Sequence, residues 1–133
     1  MLPFLLAATL AAAQPAPCPS DLQVTNPRIK IVRARDRAFD NNIVAVDVRN
    51  AGNRPQRQEI KQHLDLLLGK QRVGSQPIPA LGPEESYEAA FRFQRPHEKK
   101  HVPQEMTFRL AFESRLRPGD DCVEANNNLT ATL

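Results

Sequence analysis

His97-Glu98-Lys99-Lys100-His101 is the stretch whose residue types and spacing match a catalytic signature. H-E-x-x-H on a helix sets two imidazoles one turn apart to hold zinc, with the glutamate as general base for hydrolysis. The chemistry requires that helix. Pro96 stands immediately before the motif and Pro103 two residues after it, so at most about two turns could form. Both intervening positions are lysines, which repel a divalent cation and leave no apolar face to bury. A solvated loop between two strands is the leading reading of this segment, and a small zinc-dependent hydrolase using His97, Glu98 and His101 is the alternative. His63 falls on the outward phase of its own segment and reads as a surface histidine. No serine sits in a G-x-S-x-G elbow, and with five glycines in all no phosphate-cradling loop is present. Asp120, Asp121, Glu124 and Asn126 could offer oxygens to calcium, but they lack the alternating acids and central glycine of an EF-hand loop, which leaves calcium undecided.

The elements that must position these groups are strands. Val44, Val46 and Val48, then Leu64, Leu66 and Leu68, then Tyr87, Ala89, Phe91 and Phe93, then Met106, Phe108 and Leu110 recur at alternate positions. A period of two is the signal of a strand with one buried face. Turn chemistry separates the runs, Asn50-Ala51-Gly52-Asn53 after the first and Leu81-Gly82-Pro83 before the third, with no room for parallel crossover helices. Strands are expected at 22–34, 43–50, 60–68, 72–76, 86–94, 105–114 and 128–133. The first is interrupted at Asn26-Pro27, which suggests an edge strand crossing between sheets. A helix over 57–68 is possible on propensity, but Gly69 leads straight into the next strand as a hairpin would. The chain is therefore read as all-β, an immunoglobulin-like antiparallel β-sandwich of about seven strands.

Leu2 to Ala13 is apolar apart from Thr9, carries no charge and closes on three alanines before a proline-rich stretch. This reads as a signal peptide over 1–13, too short for the roughly 20 residues of a membrane span, with a linker over 14–20 and one domain over 21–133. The exported protein is expected in the periplasm or outside the cell, with no membrane span. Cys18 and Cys122 stand just before the first and last strands, and in an oxidising compartment such a pair forms one disulfide. It would close a loop of about 100 residues, for which the chain-entropy model gives about 4.7 kcal/mol. A metal pair or redox motif is the competing reading, although neither cysteine has another cysteine or a histidine within a few positions.

The formal net charge is +3, and basic residues cluster at Arg28, Lys30, Arg33, Arg35 and Arg37 and again at Arg92, Arg95, Lys99 and Lys100. Both clusters alternate with apolar or acidic residues, as the solvent face of a sheet would. The aromatics fall on the inward phase, away from the basic residues, which argues against nucleic acid as a partner. Arg33, Arg35 and Arg37 are candidates for binding an anionic partner. Lys and Arg also keep exposed strand edges from pairing with neighbouring chains, and that reading competes.

Four features recur in order along the chain: Asp21-Leu22 at the first strand; Val44-Ala45-Val46-Asp47-Val48-Arg49-Asn50-Ala51-Gly52; Ile78-Pro79-Ala80-Leu81-Gly82-Pro83-Glu84-Glu85-Ser86; and Val123-Glu124-Ala125-Asn126-Asn127-Asn128-Leu129 before the last strand. In this set the chain resembles CARDB, the cell-adhesion-related domain found in bacteria. The resemblance implies a single immunoglobulin-like module of an exported protein and supplies no catalytic residue. Physically, Asn50 would end its strand by bonding nearby backbone, Gly52 would take the turn, and Glu124 with Asn126 to Asn128 would cap loop amides. The function expected is an exported, non-enzymatic binding or adhesion module without a cofactor, engaging a protein or an anionic envelope glycan.

Overall fold

The computed structural model describes residues 20–33, 38–118, 120–121 and 127–133. Burial of the alternating apolar residues organises it. Val44, Val46 and Val48 have no exposed surface, and neither do Leu64, Leu66, Met106, Phe108 and Ala89. Seven strands carry them: β1 (Leu22–Arg33), β2 (Phe39–Asn50), β3 (Gln62–Leu68), β4 (Gln71–Ile78), β5 (Ser86–Pro96), β6 (Glu105–Phe112) and β7 (Asn128–Thr132). They form two antiparallel sheets, β1-β2-β5 and β4-β3-β6-β7, whose apolar faces meet in one core. This is the expected all-β, immunoglobulin-like sandwich. The fourth strand pairs with the third, not with the fifth as in the constant-type arrangement.

Local chemistry explains the turns. Gly69 and Lys70 join β3 to β4, and Gly69 has a φ of +59°, the placement a type II′ hairpin turn asks of its first central residue. The hairpin forms and residues 57–68 hold no helix. Asn26-Pro27 turns out to be a bulge, so the expected crossing between sheets is not made. The pairing of β1 with β2 shifts register between Thr25 and Arg28, Asn26 takes a φ of +57°, and Arg28 resumes on the same partner. An edge strand tolerates the missing proline amide, and an extra residue absorbs the break without a change of sheet.

One margin of the sandwich is closed by side chains. The edge strand β4 lies beside the edge strand β5, where Gln76 Oε1 accepts from the Ala90 amide at 3.1 Å and Gln76 Nε2 donates to the Tyr87 hydroxyl at 3.2 Å. Gly74 permits this approach, because a Cβ built on it would lie 2.7 Å from Phe91 Cδ1.

One pole is closed by buried amides. Asn50 Oδ1 accepts from the Asp21 amide at 3.2 Å and the Gly52 amide at 2.9 Å, while its Nδ2 donates to Arg54 O at 2.9 Å and Leu81 O at 3.1 Å. Beside it Gln56 and Gln62 exchange reciprocal amide bonds at 3.0 and 2.8 Å, and Gln56 also takes the Leu81 amide at 3.0 Å.

The two sheets differ in length. Strands β1 and β2 have 12 residues and β5 has 11, against 7, 8, 8 and 5 in β3, β4, β6 and β7. β2 starts at Phe39, four residues before the expected Ile43, and β5 runs on to Pro96. Sheet β1-β2-β5 therefore overhangs the core at the pole opposite Asn50.

Two substitutions test this packing. Asn50→Ala leaves two amides and two carbonyls without their partner, at about 1–3 kcal/mol for each group that stays dry, so a loss of at least about 3 kcal/mol is expected in urea unfolding. Gly74→Ala should cost about 1–3 kcal/mol by overpacking, and Phe91→Leu in the same chain should recover part of that. Strict additivity of the Gly74 and Phe91 changes would mean that the two residues do not limit each other.

Candidate functional site

The overhang places polar groups where a core would otherwise continue. Cross-strand register aligns Ile29 with Val44 and Phe91, then Ile31 with Asn42 and Phe93, then Arg33 with Asp40 and Arg95. All three rows share the phase of the buried valines; Phe93 of the second row still packs against the core, and the third row continues the inner face past it. Asp40 is 7% exposed and Asn42 only 2%. The β5–β6 loop runs beside them, and an open pocket of about 240 Å³ is lined by Ile31, Arg33 and Asn42 from the strands and by Glu98, Lys99 and His101 from the loop.

His97 fastens that loop. Its Nδ1 lies 3.0 and 3.1 Å from the two Asp40 oxygens, and its amide donates to Ala38 O at 3.0 Å. A carboxylate only accepts, so the imidazole proton faces Asp40 on Nδ1. Arg95 adds a second tie, donating from both terminal nitrogens to Val102 O at 3.3 Å. Among the described residues Arg33 and Lys99 have no ion-pair partner, which leaves their charges directed at the cavity and solvent.

This arrangement bears on each candidate residue. Residues 97–101 form no helix, and His97 is engaged with Asp40 while Glu98 and His101 stand on the cavity wall. The imidazole spacing that H-E-x-x-H chemistry needs is therefore not built. No set of three metal-ligating side chains is assembled among the described residues. His63 lies on the outer face of β3, with Nε2 3.5 Å from Asp65 and Nδ1 3.2 Å from Glu113. The first basic cluster is divided by the sheet. Arg28 lies on the outer face, bridging Asp47 at 3.2 Å and Glu88, whereas Arg33 is on the inner phase with Asp40. Reading the cluster as one solvent face is thus corrected, because the two-residue period separates Arg28 and Lys30 from Arg33 and the Asn26-Pro27 bulge sets Arg33 on the inward phase. Arg35 and Arg37 lie outside the described residues, as do the expected signal peptide over 1–13, the Cys18–Cys122 disulfide, Glu124 and Asn126.

Asp40 and Asn42 were missed as site residues, yet a signal for them exists. They extend the phase of Val44, Val46 and Val48 backwards, and two polar residues on an inward phase mark the point where the core gives way to something else.

The opposite pole carries a second built ion pair. Asp120, 7% exposed, accepts from Arg57 Nε at 3.0 Å and Arg57 Nη2 at 2.6 Å, and from the Arg117 amide at 2.6 Å. The buried Ser20 hydroxyl donates to Asp120 O, so the end of the expected linker is bound to the body. The guanidinium bond holds the Asp120 carboxyl below the usual carboxylate range, against the opposing pull of desolvation. Arg57 is raised above its ordinary value by the same bond. An aspartate spent on arginine is a poor calcium ligand, and Asp121 accepts from Asn127 Nδ2 at 2.6 Å. The adjoining open cleft of about 460 Å³ is lined by Arg57, Glu59 and the 114–118 loop.

No family model matches the chain, and no curated protein matches it. Among solved structures it is similar to the crystal structure of a candidate ApaA protein from Bordetella pertussis, at 19% identity over 86% of this chain and 89% of that one, with a TM-score of 0.40.

The Arg57–Asp120 pair makes stability depend on acid. Asp120 holds its proton less readily folded than unfolded, so the stabilisation is present above the unfolded value of about 3.9 and is lost as pH falls through the lower folded value. Urea midpoints of the parent chain should drop steeply below about pH 4, and those of Asp120→Asn should start lower and fall less. Parallel pH profiles for the two would show that the pair contributes no acid dependence.

Proposed function

We propose that this protein is an exported, non-enzymatic binding module of CARDB-like kind, which engages an anionic partner, a protein or an envelope glycan, through the overhang of sheet β1-β2-β5. The observation that carries the reading is the convergence of Arg33 from β1 with Arg95 and Lys99 from the end of β5 and its following loop on one pocket, where Arg33 and Lys99 lack counter-ions among the described residues. Three cations face two carboxylates there, Asp40 and Glu98, and Asp40 is already engaged by His97. The excess positive charge is available to a ligand, and low-dielectric walls raise its effect above that of the same charge on open surface. Export is supported by the apolar, alanine-terminated stretch at residues 2–13. The expected anionic contact of Arg33, Arg35 and Arg37 fits this reading through Arg33, which belongs to the cavity.

The rival explanation is that these residues only guard the edges of β1 and β5 against pairing with other chains. Retention on immobilised polyglutamate and polygalacturonate separates the two. A binding module is expected to be retained by at least one polyanion, to elute as ionic strength rises because exposed charges are screened within about 8–10 Å, and to lose at least about tenfold in affinity when Arg33, Arg35, Arg37 and Arg95 are changed to serine. Unchanged retention together with increased self-association of the variant would leave edge protection as the explanation.

A further inference from the structure

We propose that the cavity at the end of sheet β1-β2-β5 is a subsite for one carboxylated sugar unit of the hexuronate class. This rests on the anionic-partner reading above and names the chemistry of that partner.

Four features of the cavity point to it. The first is size, since an open pocket of about 240 Å³ admits a single sugar ring. The second is charge. Among the described residues, Arg33, Arg95 and Lys99 against Asp40 and Glu98 leave one positive charge uncompensated, which suits a unit carrying one carboxylate, and a guanidinium takes a carboxylate in a two-bond fork.

The third is the presence of acceptors among the cations. Asp40, Asn42 and Glu98 would repel a dense anion such as phosphate or a run of acidic side chains, but they accept hydrogen bonds from hydroxyls. A ligand that satisfies both sets must carry an anionic group and several hydroxyls on one small frame. The fourth is the apolar wall. Ile31, 38% exposed, and Pro96 lie beside the charged groups, and the C–H face of a pyranose ring covers such a surface where a free carboxylate could not.

The site is also built before the ligand arrives. Asp40 is fixed by the His97 imidazole, Arg95 by Val102 O, and the row Arg33, Asp40, Arg95 by strand register across three strands. Strand spacing sets the outer two members roughly 10 Å apart at their backbones, so both can reach a ligand resting over Asp40. Fixed groups lose less entropy on binding than free surface side chains.

The test is a titration of the isotope-labelled full chain, followed by amide shifts, with glucuronate and galacturonate and their disaccharides. Glucose, acetate, inorganic phosphate and a triglutamate peptide are run in parallel. Expected are saturable shifts at Ile31, Arg33, Asn42 and Arg95 with the uronates, at least about tenfold weaker binding of glucose and of acetate, and at least about tenfold loss in Arg95→Gln and in Arg33→Gln. Substitutions on two different strands, exposed Arg33 and half-buried Arg95, keep the outcome independent of either variant's folding. Acetate or phosphate binding as tightly as the uronates would reduce the cavity to an anion site and overturn the sugar assignment. Triglutamate binding in place of the uronates would assign the surface to an acidic protein. Uronate shifts confined to Arg28 or to the Arg115 and Arg117 loop would overturn the location. Failure of the uronates with polyanion retention preserved rejects this inference alone, whereas failure of both rejects the functional reading with it.

Discussion

The buried Asn50 amide is the constraint on which the closed pole of the sandwich depends. Its oxygen takes two backbone amides and its nitrogen serves two backbone carbonyls, so all four of its hydrogen-bonding positions are used. The partners come from the start of β1, the turn after β2 and the loop around Leu81. Its own backbone amide donates to Glu85 O, and its carbonyl accepts from Glu84. Three connections are thereby held by one side chain with no exposed surface. A polar group buried this way stabilises only when every bond is made, because the low dielectric that strengthens the bonds also penalises any left open. The Gln56–Gln62 pair repeats the device one layer along, again against Leu81.

The other pole is finished differently, and the difference follows from strand length. Where the two sheets are matched, each inward residue meets an apolar partner and the alternation continues as Val, Leu and Phe. Toward the end of the longer sheet the inward positions turn polar, first Asn42 between Ile31 and Phe93, then the row Arg33, Asp40 and Arg95. The loop beside them is tied by an imidazole–carboxylate contact and an arginine–carbonyl bond, both directional, instead of by burial of apolar area. One pole is sealed by amides that satisfy each other, and the other holds charged groups that are not all satisfied from within.

Much of this was legible from residue order. The period of two located four of the seven strands, turn signals between them placed the rest to within a few residues, and Gly69 and the Asn50-to-Gly52 turn ended elements where expected, because these signals act over a few residues. What was not legible depends on distance in the chain. Arg57 and Asp120 are separated by 63 positions, and nothing local to either announces the other. The Asn26-Pro27 break could be read as a crossing or a bulge, and only the pairing of Arg28 with Ala45 decides. Parity divides Arg28 from Arg33, and the bulge before them decides which of the two faces inward, so a cluster that is contiguous in sequence becomes two surfaces. Asp40 and Asn42 were readable in principle, but their inward phase acquires meaning only once the end of the core is known.

The same comparison bears on what the open pole is for. Charges keep a strand edge from aggregating when they sit on the edge strand itself, whereas Asp40 lies on the central strand β2. Burying Asp40 to 7% exposure, engaging it with His97, and setting it between two arginines in register has no role in that task and carries a desolvation cost. Edge protection also gives no reason for a loop fastened beside the charged row to leave a concave space there. A preorganised mixture of cations, acceptors and a small apolar wall is what recognition of a compact polar ligand requires, since binding then spends little on ordering the site. On the binding reading proposed above, the cost of holding those groups in place falls on the free protein and is offset by a contact made outside it.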